Sequence, residues 1–414
     1  MAVAPPAESA TYTLQQILND PFPAASDNFG SAAALDGTRA LIGAAGEGSN
    51  DVGGAFLYDT TTGAVLQTFS SPSPHANDGF GNSVALYGNM ALIGARKDDS
   101  AGTDVGQAYL FDTTTGALLH TFNDPYPNGG ENFGGSVALD GSLALIGSPF
   151  NNASAGQHTG QVHLFDTNTG ALLRTFSPPS PTTSGGYGPT LGASIDLDGT
   201  RALISAPYDD HLGNDVGQVY VYDTTSGALL QTFNDPTPSP INVFGLAVAL
   251  DGDFALIGDP LDNTTGNDSG QVHVFNVTTG ALLQTFNNPS PASSDQFGWS
   301  LALDGTLALI SSRYDDTQGG NVGQSYLFDI LTGELLWTFD DPTVTIGDLF
   351  GYALALDNGN VLITALNDDS NGSNAGQAYL YSTSPVPLPP AILLFVSALA
   401  GMGLLTRLRA STAA

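Results

Sequence analysis

The chain of 414 residues contains no cysteine, and only 8 of its residues are lysine or arginine, against 40 aspartates and glutamates. Without cysteine it can form no disulfide, thiolate metal site or cysteine nucleophile. Its formal charge of −32 at pH 7 argues against nucleic acid and anionic lipid headgroups as partners, because both are negatively charged. Cations, neutral glycans and basic proteins remain as partners, although an acidic surface also keeps a protein soluble without any partner.

Helical patterns and long apolar runs are scarce. No helical periodicity of useful length precedes residue 391, and the one long apolar run is Ala391 to Leu405. Met1 to Ala10 lacks a basic start and an apolar run, which is not the pattern of a secretory signal. Glycine (51 residues) and proline (25 residues) are abundant, which favours many turns and therefore many short strands.

The strongest pattern is an internal repeat of about 53 residues, within the range of propeller blades and solenoid units. Its marker is an aromatic or apolar residue followed by glycine, at Gly30, Gly81, Gly134, Gly192, Gly245, Gly298 and Gly351. The spacings are 51, 53, 58, 53, 53 and 53 residues. The longest spacing reflects an insertion within Ser177 to Thr190, which we interpret as a passive loop, with a contact surface as the alternative.

Each repeat has the pattern of four short strands. In the sixth repeat, Trp299 to Leu303 and Leu307 to Ile310 flank Asp304-Gly305, and an Asp-Gly pair between two apolar runs indicates a hairpin. A polar loop, an alternating strand, a Thr-Gly turn and a last strand follow. Seven such repeats predict an all-β fold, a seven-bladed β-propeller of four-stranded antiparallel blades.

The two ends of the repeat region complement each other. The last repeat stops after its third strand, at Tyr381, whereas Thr13 to Pro21 aligns with the fourth strand of another repeat, Ala228 to Pro236. We therefore expect the N-terminal strand to complete the last blade and close the ring, which removes the exposed edges of an open stack. The expected domains are a disordered extension (1–12), the propeller (13–383) and a C-terminal tail (384–414).

The repeats resemble FG-GAP repeats, the propeller repeats of integrin α subunits, in the Phe-Gly start, in Ile-Ser-Ala-Pro at Ile204 to Pro207 and in the strand Gly217 to Tyr222. The Ser-Ala-Pro part of the second of these elements varies, for instance to Gly-Asp-Pro at Gly258 to Pro260. The family often carries a calcium loop between its first two strands. Here that place holds a tight turn, as at Leu139 to Ser142, so calcium binding in the family's manner is not expected.

The tail resembles a PEP-CTERM sorting signal in its Val-Pro-Leu-Pro variant, with an apolar run and a basic end. The residues of this motif are Val386, Pro387, Leu388, Pro389, Arg407 and Arg409. The resemblance implies a Gram-negative exported protein that an exosortase-type membrane protease processes, and an N-terminal signal peptide. Leu388 to Leu405 is an uncharged stretch near the lower limit for a transmembrane helix, which would anchor the chain in the inner membrane before processing. A buried C-terminal helix is the alternative.

Aspartates recur in the loops between the second and third strands, where glycine and asparagine surround them. These candidate calcium ligands are Asp98, Asp99, Asp104, Asp209, Asp210, Asp215, Asp262, Asp268, Asp315, Asp316, Asp368 and Asp369. Ca²⁺ takes six to eight oxygen ligands, and such loops supply them. Solvated turn chemistry explains the same residues without a metal, because aspartate, asparagine and glycine are turn formers.

No set of residues points to catalysis. His163 and His273 occupy the repeat position that holds Tyr109, Tyr220 and Tyr326, which indicates strand positions rather than catalytic bases. The Asp-x-x-Thr-Gly turns resemble the repeats of quinoprotein dehydrogenases, but these enzymes pack tryptophans regularly and this chain has two. We therefore predict an exported envelope or extracellular propeller that binds an envelope, glycan or protein ligand or builds matrix, without catalysis and without a cofactor other than calcium. A periplasmic propeller enzyme, either a quinoprotein-like oxidoreductase or a glycan-active enzyme, is the alternative.

Overall fold

Every regular secondary-structure element that the structure describes is a β-strand, in agreement with the alternating side chains and short glycine turns of the repeat. The computed structural model describes residues 11–152, 158–180 and 188–383, which contain 28 strands and no helix. The predicted sorting tail and the centre of the inserted loop, residues 181–187, lie outside these ranges. The expected all-β fold is confirmed for the described residues.

The strands follow the repeat. The first strand is β1 (Tyr12–Asn19). Blade 1 contains β2 (Phe29–Asp36), β3 (Arg39–Ala44), β4 (Gly54–Asp59) and β5 (Val65–Ser70), and blade 2 contains β6 (Phe80–Tyr87), β7 (Met90–Ala95), β8 (Gln107–Asp112) and β9 (Leu118–Asn123). Blade 3 contains β10 (Val137–Asp140), β11 (Leu143–Ser148), β12 (Gln161–Asp166) and β13 (Leu172–Phe176), and blade 4 contains β14 (Ile195–Asp198), β15 (Arg201–Ala206), β16 (Gln218–Asp223) and β17 (Leu229–Asn234).

The second half of the chain repeats this order. Blade 5 contains β18 (Val248–Asp251), β19 (Phe254–Asp259), β20 (Gln271–Asn276) and β21 (Leu282–Asn287), and blade 6 contains β22 (Phe297–Asp304), β23 (Leu307–Ser312), β24 (Gln324–Asp329) and β25 (Leu335–Asp340). The last three strands are β26 (Phe350–Asp357), β27 (Asn360–Ala365) and β28 (Gln377–Thr383). The described residues thus form seven four-stranded sheets, which confirms the seven-bladed propeller.

The N-terminal strand completes the last blade, as predicted. The sheet order of blade 7 is β1-β28-β27-β26, so a strand from the start of the chain is its outer edge. At the end of that strand, Gln377 Nε2 donates to Asn19 Oδ1 over 2.8 Å. Leu18 is 1% exposed and packs with Leu362 and Leu380 of the same blade. Closure therefore combines backbone pairing with burial of an apolar side chain.

Neighbouring blades share their apolar cores. Phe29, the first marker phenylalanine, lies edge-on to Tyr58 of its own blade and belongs to a buried cluster that includes Leu380 of blade 7. This marker phenylalanine thus packs between two blades. The glycine that follows it, Gly30, has a φ of 95°, a conformation that a side chain strains. Its carbonyl oxygen accepts a hydrogen bond from Thr364 Oγ1 of blade 7 over 2.8 Å.

The inner strands approach one another closely. A Cβ atom added to Gly43 of blade 1 would lie 1.9 Å from the carbonyl oxygen of Gly81 in blade 2. Small residues at such positions let the backbones meet near the axis, and Ser31 Oγ donates to the same carbonyl oxygen over 3.1 Å. Towards the rim, Gln231 of blade 4 donates its amide Nε2 to Thr278 O of blade 5 over 3.1 Å. Contacts between neighbouring blades therefore occur both near the axis and near the rim.

Candidate functional site

The structure divides the predicted calcium ligands into a buried and an exposed group. The first aspartate of each loop is fully or nearly fully buried: Asp98, Asp209, Asp262, Asp315 and Asp368. The aspartates that follow lie at the surface or are only partly buried: Asp99, Asp104, Asp210, Asp215, Asp268, Asp316 and Asp369. The two groups therefore have different roles, which the sequence pattern alone did not separate.

The exposed group closes loops. Asp99 Oδ1 accepts the backbone N–H of Asp104 over 2.8 Å, and Asp369 Oδ1 accepts that of Asn374 over 2.7 Å. Asp104 has a φ of 50°, a left-handed conformation that aspartate and asparagine tolerate better than most residues. These contacts are the turn chemistry that was the alternative explanation. Calcium binding by the loops stays a prediction.

The buried group faces the contact between two blades. We call junction n the place where the outer strand of the preceding blade leads into blade n. In junction 2, Tyr109 Oη lies 2.6 Å from Asp98 Oδ2 and 2.5 Å from Gln107 Oε1. Burial first, and then the hydrogen bond to Asp98, raises the pKa of Tyr109, so the phenol stays protonated. Tyrosine thus supplies the O–H donor that a buried aspartate and a glutamine share.

Two further repeat positions bring acids into the junctions. One directly precedes the proline after the outer strand and is occupied by Asp20, Asp124, Asp235 and Asp341. The other position lies two residues before the phenylalanine of the Phe-Gly marker. It is occupied by Asp27, Asp78, Glu131, Asp295 and Asp348. In junction 7, carboxylate oxygens of Asp341, Asp348 and Asp368 lie within 4.8 Å of one another, as do those of Asp20, Asp27 and Glu47 in junction 1.

Crowding of buried acids changes their protonation. Burial first, and then the charges of Asp348 and Asp368, raises the pKa of Asp341 to about 7. Burial, followed by the charge of Asp20, raises the pKa of Glu47 to about 8. Each cluster therefore holds protons near neutral pH or binds a cation instead, because unpaired buried carboxylates are costly. Oxygen ligands alone, as in these two junctions, suit Ca²⁺ or Mg²⁺.

Junction 5 differs from junctions 1 and 7 because its cluster combines an imidazole with carboxylates. Ligand atoms of Asp235, Asp259 and His273 lie within 4.8 Å of one another, and all three residues are buried. His273 Nδ1 lies 3.1 Å from Thr285 Oγ1, so we assign the ring proton to Nδ1. Burial lowers the pKa of His273 to about 4, and the ring is therefore neutral. With this tautomer Nε2 keeps its lone pair, and this atom has no hydrogen-bond partner among the residues that the structure describes.

The amide of Asn242 links the acids of junction 5. Asn242 Nδ2 lies 2.9 Å from Asp235 Oδ2, 3.3 Å from Asp259 Oδ2 and 3.4 Å from Asp262 Oδ2. An amide has two N–H groups, so it cannot bond all three carboxylates well. Burial, and then the charges of Asp235 and Asp262, raises the pKa of Asp259 well above its usual value. This junction can bind either protons or a metal ion.

The sequence analysis missed most of these acids. It treated Gly258 to Pro260 as a degraded repeat element, whereas Asp259 brings an extra carboxylate into junction 5. It predicted correctly that His163 and His273 lie in strands, but it did not predict that they lie in the acidic junctions. A comparison of the repeats would have identified Asp259, because the other repeats have alanine or serine at its position. These residues are Ala44, Ala95, Ser148, Ala206, Ser312 and Ala365.

The sorting-motif residues Val386, Pro387, Leu388, Pro389, Arg407 and Arg409 lie outside the described residues, and their role stays a prediction. Among residues 11–152, 158–180 and 188–383, no helix is long and apolar enough to cross a membrane.

Comparison with known proteins supports the repeat assignment. The segments 69–111, 127–165, 239–275, 289–328 and 344–381 match the FG-GAP repeat. Each matched segment spans a junction and reaches the third strand of the blade that follows it. No curated protein matches the chain. Five segments of the chain are thus similar to the FG-GAP repeat, and its described residues form a seven-bladed β-propeller closed by its first strand.

Proposed function

We propose that the chain is an exported cell-envelope or extracellular β-propeller that acts as a binding or matrix module without catalysis. An exosortase-type protease processes its C-terminal tail, and the tail anchors it in the inner membrane before cleavage. A binding or structural role agrees with the FG-GAP fold, although a fold alone does not determine function. The ligand belongs to the envelope, as a glycan or a protein.

The observation that supports the binding role is an apolar rim on the outer strands of the blades. The outer strands of blades 1 to 5 each expose two adjacent aliphatic side chains: Val65 and Leu66, Leu118 and Leu119, Leu172 and Leu173, Leu229 and Leu230, and Leu282 and Leu283. These side chains are 41–48% exposed. Apolar surface that recurs on a soluble protein marks interaction sites more often than apolar residues scattered singly. Repetition around a ring also allows several weak contacts to act together.

Charge substitutions on the rim test this role. In one variant, Leu119, Leu173 and Leu230 become lysine, and in a charge-matched control the exposed residues Ala101, Ala292 and Ser370 become lysine. We expect the rim variant to lose co-sedimentation with envelope fractions of the native host, whereas the control keeps it. Both variants should keep the wild-type unfolding temperature, because all six positions are exposed. Equal binding by the two variants would contradict a role for the rim.

Export and processing need a separate test in the native host. Fractionation, with mass spectrometry of the C-terminus, should find the mature chain in the envelope or the medium, ending upstream of Ala391. A cytosolic chain that still ends at Ala414 would contradict export. The absence of catalysis is tested by turnover of a panel of sugars and alcohols, where any enzymatic conversion would favour an enzyme instead.

A further inference from the structure

We propose that junction 5 binds one divalent transition-metal ion, of which Zn²⁺ is the best match, through Asp235, Asp259 and His273. Their ligand atoms lie within 4.8 Å of one another, a spacing that one ion can bridge. The proposal concerns a site inside the ring and is independent of the rim and of export.

Unpartnered acceptor atoms point to a cation here. His273 Nε2, Asp259 Oδ1, Asn242 Oδ1 and Gln271 Oε1 are all buried, and none has a hydrogen-bond partner within the described part of the chain. Each of these atoms is an acceptor with a free lone pair. If only a water molecule were missing from this space, unsatisfied donors would be expected as well. A metal ion satisfies such acceptors at once. His273 Nδ1 at Thr285 Oγ1 also provides the outer-shell contact that orients a ligating imidazole.

The charge of the junction requires compensation. Asp235, Asp259 and Asp262 are all buried, and the nearest basic residues along the chain are Arg201 and Arg313. Neither arginine pairs with them: Arg201 bridges Asp253, and Arg313 lies over Trp299. Burying three carboxylates beside one amide is costly unless a proton or a cation neutralises them. A divalent ion offsets two of the three charges.

The repeat shows how the site arises. Other repeats hold alanine or serine at the position of Asp259, and four of them hold tyrosine at that of His273. In junction 6, Tyr326 Oη lies 2.7 Å from Gln324 Oε1, so the phenol satisfies the glutamine that is left unpartnered at Gln271. Replacing tyrosine by histidine removes a donor and adds a metal ligand. The two departures therefore act together to convert a hydrogen-bonded junction into a ligand set.

Junction 3 is a natural control inside the molecule. It has the same histidine, His163, whose Nδ1 lies 3.0 Å from Thr175 Oγ1. At the position of Asp259 it has Ser148, whose Oγ donates to Asp124 Oδ2 over 2.9 Å. A neutral donor thus replaces the third carboxylate. His163 Nε2 and Gln161 Oε1 have no partner among the described residues either, so junction 5 is distinguished by the unpartnered oxygens of Asp259 and Asn242. Without these two oxygens, junction 3 should bind no transition metal tightly.

The donor set selects the metal class. Ca²⁺ and Mg²⁺ prefer oxygen ligands, whereas imidazole with carboxylates suits Zn²⁺ and related first-row ions. Three protein ligands with room for further donors is the usual arrangement at zinc sites that keep an open position.

The repeat also supplies variants that should fold. Asp259→Ala and His273→Tyr each install the residue that other blades carry, and His163→Tyr makes the same exchange in junction 3. The full chain is stripped of metal and titrated with Zn²⁺ by calorimetry in millimolar Mg²⁺, which occupies exposed carboxylates. We expect one tight site in wild type and in His163→Tyr. That site should be at least about 100-fold weaker in Asp259→Ala, in His273→Tyr and in the double variant, because loss of a ligand is at least as costly as loss of an outer-shell partner.

Co²⁺ provides a readout that stability effects do not affect. Wild type loaded with Co²⁺ should show visible d–d absorption bands, and His273→Tyr should lose them. If wild type and the double variant bind Zn²⁺ with equal stoichiometry and affinity, the proposal is wrong. It is equally wrong if metal-free Asp259→Ala gains stability while wild type binds no Zn²⁺, because protons would then neutralise the junction.

Discussion

Thr364, in the last blade, donates its side-chain hydroxyl to the carbonyl oxygen of Gly30, in the first blade, over 2.8 Å. Ser31 makes the equivalent contact to Gly81 at the next blade boundary, over 3.1 Å. The contact that closes the ring is therefore of the same kind as one within it. In a closed ring every blade packs against a neighbour on both faces, so the stability of the ring should depend on the closing strand as much as on any other.

The first prediction concerns that closing strand. Leu18 and Leu14 lie on the same strand, but Leu18 is 1% exposed and Leu14 is 38% exposed. Leu18→Ala should lower the free energy of unfolding by roughly 2–4 kcal/mol, because it leaves a cavity in the core of blade 7. Leu14→Ala should cost less than about 1 kcal/mol. Denaturant unfolding of both variants measures the difference, and equal, small effects would mean that the strand is not part of the cooperative unit.

The second prediction concerns pH and junction 1. The pKa of Glu47 is raised to about 8 in the folded protein, from about 4.5 when unfolded. The folded state therefore binds the proton more tightly, and this stabilisation is complete below the unfolded pKa and lost as pH rises through about 8. Wild type should lose on the order of 1 kcal/mol of stability between about pH 5 and about pH 9 from this group, discounted for its partial exposure.

Glu47→Gln removes the titrating group and leaves an amide that can donate to Asp20. This variant should have a flatter dependence of stability on pH in the same range, measured by thermal unfolding in chelator. The exposed Glu334→Gln is the matched control and should follow the wild-type curve. An unchanged slope in Glu47→Gln would show that the pKa of Glu47 is not raised in the folded state.

The third prediction concerns the close contact near the axis. A Cβ at position 43 would meet Gly81 O at 1.9 Å, so Gly43→Ala must push two blades apart. We expect a loss of about 3 kcal/mol, at the upper end of the range for overpacking. Gly320→Ala serves as the control, because the nearest atom, Ile346 Cγ2, would lie 3.6 Å away. A lower melting temperature for the control than for Gly43→Ala would contradict the proposed packing.

The fourth prediction concerns calcium. Junction 7 contains Asp341, Asp348 and Asp368, which offer only oxygen ligands. In the described ranges of the chain, Asp341 Oδ2 has no hydrogen-bond partner. Millimolar Ca²⁺ should raise the unfolding temperature of wild type relative to chelator, through mass action on the folded state. Asp341→Asn should reduce this shift. An identical unfolding temperature with calcium and with chelator would remove calcium as a ligand of the chain.

The architecture was predictable because the same strand and turn pattern occurs in seven repeats. The marker glycines gave the number of blades, and the displaced fourth strand at Thr13 to Pro21 gave the closure. Hydrophobic alternation and turn residues act locally, so the sequence displays them directly. The fit of Leu18 into blade 7 follows from the same alignment.

The junctions were harder to predict because each one combines residues from three separate segments. Asp235, Asp259 and His273 belong to an outer strand's end, a second strand and a third strand, and only the packing of two blades brings them together. The acid-rich loops predicted Asp99 and Asp369 as calcium ligands, and in the structure these residues close turns at the surface. Comparison of the repeats position by position would have identified Asp259, since no other repeat has an acid there.

Junction 5 is where the repeat departs from its own pattern in two ligand-bearing positions at once, and diffraction can locate a metal there directly. Crystals of the full chain soaked in Zn²⁺ should be measured on both sides of the zinc absorption edge. We expect one strong anomalous peak, about 2.0–2.2 Å from His273 Nε2 and from carboxylate oxygens of Asp235 and Asp259. A junction without an anomalous peak, in crystals that bind zinc elsewhere, would contradict the assignment of this site.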